Sequence, residues 1–201
     1  TLKLSNCKCL TQLPEQIGNL VNLPHLDIRG INISEMPAQI SKIPDLHVLT
    51  SFVVGREDGV TIRELRKIPY LQGTLSILRL QNVVDPKDAF QADLKNKEQI
   101  EKLTLEWGSE PQDSQIEKDV LQNLQPPTNL KKLAIGYYTG ASFPKCYSPL
   151  HHRWRLLFFT STIWTTTFSQ GEVIKRMKMV KTFDEEFYCN SGRSLSSQPF
   201  P

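Results

Sequence analysis

The side chains best suited to chemistry in this 201-residue chain are a few cysteines and histidines. Cys146, His151, His152 and Cys189 offer the thiolate and imidazole ligands that zinc prefers. Their spacing is wrong for a metal site, because the sequence contains no C-x-x-C or H-x-x-x-H pair. The phosphate-binding motif G-x-x-x-x-G-K-S/T, the hydrolase motif G-x-S-x-G and the zinc-protease motif H-E-x-x-H are also absent. The sequence therefore predicts no metal site and offers no residues for an enzyme.

Composition restricts the function classes further. The chain is 39% hydrophobic and 22% charged with a formal net charge of +3, which is typical of a globular protein. No basic block is long enough to predict nucleic-acid binding. The apolar run 156–168 is 13 residues long (168−156+1) and is too short for a membrane span. Four cysteines are too sparse for a disulfide framework, so we expect reduced thiols in an intracellular, cytoplasmic protein.

A short leucine motif recurs along the chain as far as Ile135. L-x-x-L-x-L or a close variant ends at Ile28, Leu80, Leu105 and Ile135, with a weaker copy around Leu49. The residue numbers of successive middle leucines differ by 24, 23, 29, 25 and 30 (26−2, 49−26, 78−49, 103−78 and 133−103). This motif and this spacing are typical of leucine-rich repeats. Core-facing and solvent-facing residues alternate within each copy, which predicts one short strand per repeat and a parallel sheet.

We therefore predict an α/β leucine-rich-repeat solenoid, with a curved parallel sheet on the concave face and a helical or irregular convex side. Residues 54–69 and 108–127 interrupt the repeats, and we interpret both as insertions that contain a helix on the convex side. The N-cap of the second helix is Asp113 or Ser114. Cys7 is expected to be buried inside the coil. Trp107 is expected to pack at the exit of its strand, with an exposed anchor as the alternative.

The sequence divides into three regions. Residues 1–145 form the leucine-rich-repeat domain, with about six irregular repeats. Residues 146–171 have no repeat period and are crowded with Trp, Phe and Thr, so we interpret them as an aberrant segment from a shifted reading frame or a retained intron. Residues 172–201 form a partial repeat-like tail that is expected to be poorly ordered. Both ends of the repeat domain are expected to lack caps, which predicts poor solubility of the isolated chain.

Longer stretches of the sequence narrow the family. The runs LPEQIGNLVNLPHLDIRG, LTSFVVG, LQGTLSIL and LTLEW, with Phe-Pro at 143–144, resemble plant coiled-coil nucleotide-binding leucine-rich-repeat (NBS-LRR) disease-resistance proteins. The resemblance covers most of residues 1–145. It implies that the repeats recognise a pathogen effector or a guarded host protein and restrain the switch domain of the parent receptor. That switch domain, which would bind ADP or ATP, is absent from this chain, so no cofactor is expected here.

The strand pattern indicates which side chains would form the protein-binding face. These residues flank the core leucines on the concave sheet, in columns about 5 Å apart. They are Lys3, Ser5, His25, Asp27, Arg29, Ile77, Arg79, Gln81, Lys102, Thr104, Glu106 and Lys132, with Ala134 and Gly136 on the last strand. Mixed charges with an apolar anchor favour protein recognition. The alternative is an ordinary solvated face.

Two other functions stay open at this point. The run LPEQIGNLVNL also resembles plant intracellular Ras-group repeat proteins, which would make the chain a free-standing leucine-rich-repeat scaffold. Regular repeats would favour that alternative, and the two long spacings, from Leu49 to Leu78 and from Leu103 to Leu133, argue against it. The third function class is a non-functional, truncated product of a resistance gene. The sequence of the complete transcript distinguishes these alternatives.

Overall fold

The structure is a computed structural model that describes residues 1–108 and 113–140, the single residues 142, 144 and 147, and the backbone of residues 155–159. Strands in this part of the chain are β1 (Leu2–Lys3), β2 (His25–Asp27), β3 (Val48–Leu49), β4 (Ser51–Val53), β5 (Gly73–Leu78), β6 (Ile100–Glu106), β7 (Lys132–Gly136) and β8 (Arg155–Phe159). They form two sheets, β1-β2-β3 and β4-β5-β6-β7-β8. Every pair is parallel. The predicted α/β fold with parallel sheets is confirmed.

Return segments lead from the end of one strand to the start of the next. They contain the 3₁₀ helices Glu15–Asn19, Ile40–Lys42, Ile62–Lys67, Leu80–Asn82 and Leu94–Asn96, and the helices α1 (Pro86–Gln91) and α2 (Ser114–Leu124). Residues 15–19, 40–42 and 62–67, then α1 and α2, contact one another in chain order. Residues 62–67 and α2 are therefore regular members of this layer rather than insertions. Each buries an apolar side that continues the layer below it.

The core lies between the sheets and the return layer. Both strands and return segments contribute to it, and the following residues are each 2% exposed or less: Leu26, Ile28, Leu103 and Leu105 from strands and their ends, and Ile17, Ile40, Leu65 and Leu121 from return segments. Because this core is shared between stacked units, no single repeat could bury its own apolar face.

Aspartate side chains start both α-helices. The Asp113 carboxylate accepts hydrogen bonds from the backbone N–H groups of Gln115 (2.8 Å) and Ile116 (3.4 Å), which confirms it as the N-cap of α2. Asp85 accepts in the same way from the N–H of Lys87 (2.9 Å), and proline occupies the first turn of α1. These caps fix where the return helices begin.

The repeat that contains β5 differs from its predicted register. Leu78 was predicted to be the core leucine, but Leu75 and Ile77 pair with Leu103 and Leu105 and are 1% exposed or less. Leu78 is half-buried. Equivalent core residues of β5 and β6 thus differ by 28 in residue number (103−75). The predicted spacings of 29 and 25, which were counted to and from Leu78 (78−49 and 103−78), were therefore wrong. The run TLSILRL contains two overlapping leucine patterns, and only the strand pairing selects between them.

One extended segment joins the two sheets. β3 pairs with β2 and β4 pairs with β5, and Thr50 lies between the two short strands. Its backbone N–H donates to the Leu26 carbonyl (3.2 Å) and its carbonyl accepts from the Ser76 N–H (3.0 Å). The buried residues Leu49 and Phe52 are three positions apart, which breaks the strand alternation of two. This local break separates the sheets.

The ladder continues into the region 146–171 that the sequence analysis set apart. β8 pairs with β7 along its whole length, with Leu156 opposite Leu133 and Phe158 opposite Ile135. The first of these pairs differs by 23 in residue number (156−133), which is an ordinary repeat length. The motif was missed because Arg153 occupies the position of the first leucine. Apart from Tyr147, the rest of this region and the tail 172–201 lie outside the described residues.

Two expectations for single residues had opposite outcomes. Trp107 is 2% exposed, so its predicted packing is confirmed. Its ring meets Tyr138 edge to face, with the centroids 5.2 Å apart.

Cys7 was expected to be buried, but Cys7 and Cys9 are both exposed free thiols. The reason is that β1 is paired on one side only within the described chain, so its turn is covered from one side.

A left-handed backbone conformation recurs in the turns that follow the strands. Asn6, Gly30, Arg79 and Tyr137 have φ values of 64°, 66°, 61° and 55°. Gly30, Arg79 and Tyr137 each lie two positions beyond a buried isoleucine. Glycine adopts this conformation without steric cost, whereas other residues adopt it at a steric cost. The recurrence makes this turn a feature of the repeat.

Candidate protein-binding surface

We define the outer face as the side of the sheets that is turned away from the core. Lys3, His25 and Asp27 of the predicted binding residues belong to strands of the first sheet, and Lys102, Thr104, Glu106 and Lys132 belong to strands of the second. Ser5, Arg29 and Arg79 follow the ends of strands, and Gln81 lies in the 3₁₀ helix Leu80–Asn82. Ile77 is 0% exposed and lies in the core. Its predicted place on the binding face was wrong, as a result of the register error in β5.

In the first sheet, Asp27 was predicted to face solvent, but it is only 3% exposed. Its carboxylate accepts from Arg29 Nη2 (2.7 Å) and Nε (2.9 Å) and from the Thr50 hydroxyl (3.2 Å). The hydrogen bonds from Arg29 hold the pKa of Asp27 down to about 2. Thr50 Oγ1 in turn accepts from the Ile28 N–H (2.9 Å). This polar cluster stabilises the first sheet, and Arg29 is its exposed member.

In the second sheet, the strand register aligns positions of the outer face in rows. The row near the strand starts contains Thr74, Lys102 and Lys132, and Arg155 occupies the next position in β8. Lys102 is exposed and Lys132 is half-buried. Adjacent positions in such a row are about 4.8 Å apart. We call Lys102, Lys132 and Arg155 the basic row, because three basic residues follow one another on neighbouring strands.

A cavity of about 410 Å³ lies at the opposite ends of the same strands. We call it the strand-end groove. It is lined by Ile31, Asn32, Ile33, Val53, Leu78, Arg79, Gln81, Glu106, Trp107, Gly108 and Tyr137. The register explains its position, because Val53, Leu78 and Glu106 end neighbouring strands in one row. The groove therefore combines aliphatic and aromatic walls with one carboxylate and one guanidinium.

Polar groups of the groove are incompletely paired. Burial raises the pKa of the Glu106 carboxyl, and no ion pair among the described residues includes it. The Arg79 guanidinium donates to the backbone carbonyl of Ser34. Gln81 Oε1 and Trp107 Nε1 are buried without a hydrogen-bond partner in the described part of the chain. Buried polar atoms are normally paired, so such exceptions call for an explanation.

Three of the groove residues, Arg79, Gln81 and Glu106, were predicted from the sequence. Leu78 was predicted to lie in the core, and Val53 and Tyr137 were not predicted to lie on the binding face. Correct register in β5 would have found Leu78, because it follows Ile77 on the opposite side of the strand. Thr50 was also missed, and no pattern in the sequence indicates its hydrogen bonds to the first sheet.

The described residues contain no group of three or more His, Cys, Asp or Glu side chains that could hold a metal ion. The cysteines and histidines considered for zinc, Cys146, His151, His152 and Cys189, lie outside them. None of the helices in the described ranges combines the length and the apolar character needed to cross a membrane.

Parallel strands built on L-x-x-L-x-L motifs, paired at repeat-length separations and joined by helical returns, define a leucine-rich-repeat protein. The chain belongs to the R13L1/DRL21 leucine-rich-repeat family, which it matches over residues 62–167. The matched range includes β8 and therefore extends beyond the region in which the sequence analysis found repeats.

Plant proteins that are named for disease resistance resemble this chain. RGA4 of Solanum bulbocastanum is 34% identical over 146 residues, which cover 72% of this chain and 15% of the relative. RPP13-like protein 1 of Arabidopsis thaliana is 37% identical over 104 residues, covering 47% of this chain and 10% of the relative. RGA2 of Solanum bulbocastanum is 35% identical over 103 residues, covering 50% of this chain and 10% of the relative. The chain thus spans only a small part of the length of each of these relatives.

Proposed function

We propose that this chain is the recognition part of an intracellular plant immune receptor, and that its outer face is the concave, protein-binding face of a curved solenoid. Membership of the leucine-rich-repeat family and similarity to relatives named for disease resistance support the proposal. Its ligand is a pathogen effector, a guarded host protein or the switch domain of the parent receptor. Any exchange of ADP for ATP belongs to that switch domain, and these repeats act without a cofactor.

The basic row is the observation that carries this proposal. Lys102 and Lys132 occupy paired positions on neighbouring strands, and Arg155 occupies the next paired position. The aligned lysines concentrate positive charge on one part of the outer face, where Lys102 is exposed. Concentrated charge of one sign on a surface favours recognition of a partner of opposite charge. The charge of the basic row complements an acidic patch on a protein, which would direct association and fix orientation.

Charge reversal on the outer face tests the proposal. The full chain, tagged for proximity labelling in leaf cells, would carry Lys102→Glu with Lys132→Glu. A control with the same charge change would carry Lys42→Glu with Lys87→Glu, two exposed lysines of the return layer. We expect the outer-face variant to lose labelled partners by about tenfold or more, because each 1.4 kcal/mol of binding free energy is a factor of ten. Partners that are retained, or lost equally with the control, would contradict the proposal.

A further inference from the structure

We infer that the strand-end groove receives a lysine or arginine side chain of the protein partner. This inference rests on the proposed function, since it assigns chemistry to one part of the same surface. It commits to a basic side chain because the groove combines an unneutralised carboxylate with apolar and aromatic walls.

Glu106 is the group that selects a cation. It ends β6 between Leu78 of β5 and Gly136 of β7, and neither neighbour has a side chain that could donate to a carboxylate. No described ion pair neutralises it. A half-buried carboxylate without a partner costs free energy, which an incoming cation recovers. Burial raises the pKa of Glu106, and no opposing cation lowers it.

The walls of the groove suit the rest of a basic side chain. Val53 and Leu78 offer aliphatic contact for the methylene stem, as lysine and arginine stems prefer. Tyr137 is half-buried and offers an aromatic ring, which attracts a cation over its face. The volume of about 410 Å³ lies within the roughly 300–1,000 Å³ of typical ligand pockets.

Two buried polar atoms without partners in the described structure belong to residues that line the groove. The Gln81 amide lies against Gly108, where an added Cβ would come within 2.5 Å of Nε2. In this position both Gln81 Oε1 and Trp107 Nε1 stay buried and unpaired in the described structure. A guanidinium that enters beside the Gln81 side chain would supply a donor to its Oε1. Pairing a buried acceptor that lacks a partner is a source of affinity that a surface contact does not have.

Arg79 is the internal cation that could compete for Glu106. Its guanidinium donates instead to the Ser34 carbonyl, which belongs to the return segment after β2. Arg79 thus contacts an earlier repeat and leaves the Glu106 side of the groove open. The partner would then present a basic side chain to Glu106 and an acidic group to Lys102, about 13 Å away along the same strand at roughly 3.3 Å per residue.

Trp107 provides the readout, because it lines the groove and its buried indole N–H is sensitive to changes there. The full chain, fused to a solubility tag, would be titrated with N-acetyl-arginine amide while the indole N–H signals are followed by NMR. Trp107→Phe assigns the signal of Trp107. We expect a saturable shift with roughly millimolar affinity, no shift with the neutral isostere N-acetyl-citrulline amide, and binding at least fivefold weaker in Glu106→Gln. Equal binding of citrulline, equal binding by Glu106→Gln, or no saturable shift would overturn the inference.

Arg79→Gln provides a second variant with Glu106 intact. We expect it to bind the arginine probe as well as the wild type or better. If binding occurs only in Arg79→Gln, then Arg79 neutralises Glu106 in the native protein and the inference is wrong. The two proposals fail separately. Loss of partners in the Lys102 and Lys132 variant, with no arginine binding in the groove, rejects the groove inference alone.

Discussion

The two sheets of this protein are built from the same repeat motif but are held together differently. Strands of the first sheet have two, three and two residues, whereas those of the second have three, six, seven, five and five. The first sheet depends on the buried Asp27 cluster, and the second on long apolar strands and the Trp107–Tyr138 pair. The leucine motif therefore specifies where a strand forms but does not specify how stable that strand is.

The return layer explains part of this difference. Behind the first sheet it consists of the 3₁₀ helices 15–19 and 40–42, whereas α1 and α2 lie behind the second. α2 is also anchored through Glu117, whose carboxylate accepts from the Thr139 N–H (2.7 Å). Regions with fewer buried apolar contacts open at lower free energy. We therefore expect the first sheet to open before the second.

Substituting one core leucine in each sheet by alanine should show the difference in stability between the two sheets most clearly. Leu26 and Leu105 are both 0% exposed, and Leu→Ala at such sites costs about 2–5 kcal/mol. Leu26→Ala should speed amide hydrogen exchange in β1–β3 and leave β5–β7 protected. Leu105→Ala should speed amide hydrogen exchange in both sheets. Identical exchange patterns in the two variants would show that the chain unfolds as one unit.

Thr50→Val tests the junction between the sheets. The substitution keeps the shape of the side chain but removes the acceptor for the Ile28 N–H and the donor to Asp27. Leaving these buried groups unpaired should cost roughly 1–3 kcal/mol, measured by urea unfolding. Thr104→Val is the matched control, because Thr104 is half-buried on the outer face. This substitution should change the free energy of unfolding by no more than about 0.5 kcal/mol. Equal effects at both positions would mean that the polar cluster does not hold the first sheet.

Acid should weaken the first sheet selectively. The folded-state pKa of Asp27 is about 2, below its ordinary value of 3.8, so the unfolded state binds the proton first as the pH falls. The stability that Asp27 contributes is complete above pH 3.8 and is lost as the pH falls through about 2. Because Arg29 is exposed and screened, we expect a loss of roughly 1–2 kcal/mol. Asp27→Asn should abolish this pH dependence in exchange measurements on β2, and an unchanged profile would exclude Asp27 as its source.

Raising the pH into the alkaline range should have the opposite effect on the second region. Lys97 is 3% exposed and its ammonium donates to the Ile68 carbonyl (2.8 Å). Burial lowers the pKa of Lys97 from 10.5 to about 8, so between these values the unfolded state binds more protons than the folded state. Stability should therefore rise with pH across that window. The urea midpoints of the wild type and of Lys97→Met should be compared at pH 8, 9 and 10. The midpoint of the wild type should rise with pH, so that the difference between the two proteins shrinks or changes sign. A difference that is the same at all three pH values would show that Lys97 is not the source of the pH dependence.

The sequence predicted the repeat fold because leucine spacing and strand alternation act over short distances. It could not choose between Leu75 and Leu78 as the core residue of β5, since both satisfy the motif and the choice depends on pairing with β6. It also missed β8, where Arg153 replaces a leucine although the pairing partners still match. Pairing between strands is a tertiary property that a local pattern does not contain.

The candidate site was predictable to a similar degree. The alternation of side chains placed Lys102, Lys132 and Glu106 on the outer face, and the structure has them there. Asp27 has the same alternation but is buried, because Arg29 and Thr50 cover it. The strand-end groove depends on turns that approach from several repeats, and the sequence indicates neither their proximity nor the unpaired atoms between them.

The left-handed turns that follow β1, β2, β5 and β7 affect how such surfaces diversify. Gly30 adopts this conformation freely, whereas Arg79 and Tyr137 adopt it at a cost of about 1 kcal/mol or more each. In return, Arg79 and Tyr137 place side chains at the mouth of the groove, where glycine would place none. A repeat with this turn thus carries either a relaxed glycine or a displayed side chain. An array of repeats can acquire new specificity one turn at a time, up to the number of such substitutions that its remaining stability tolerates.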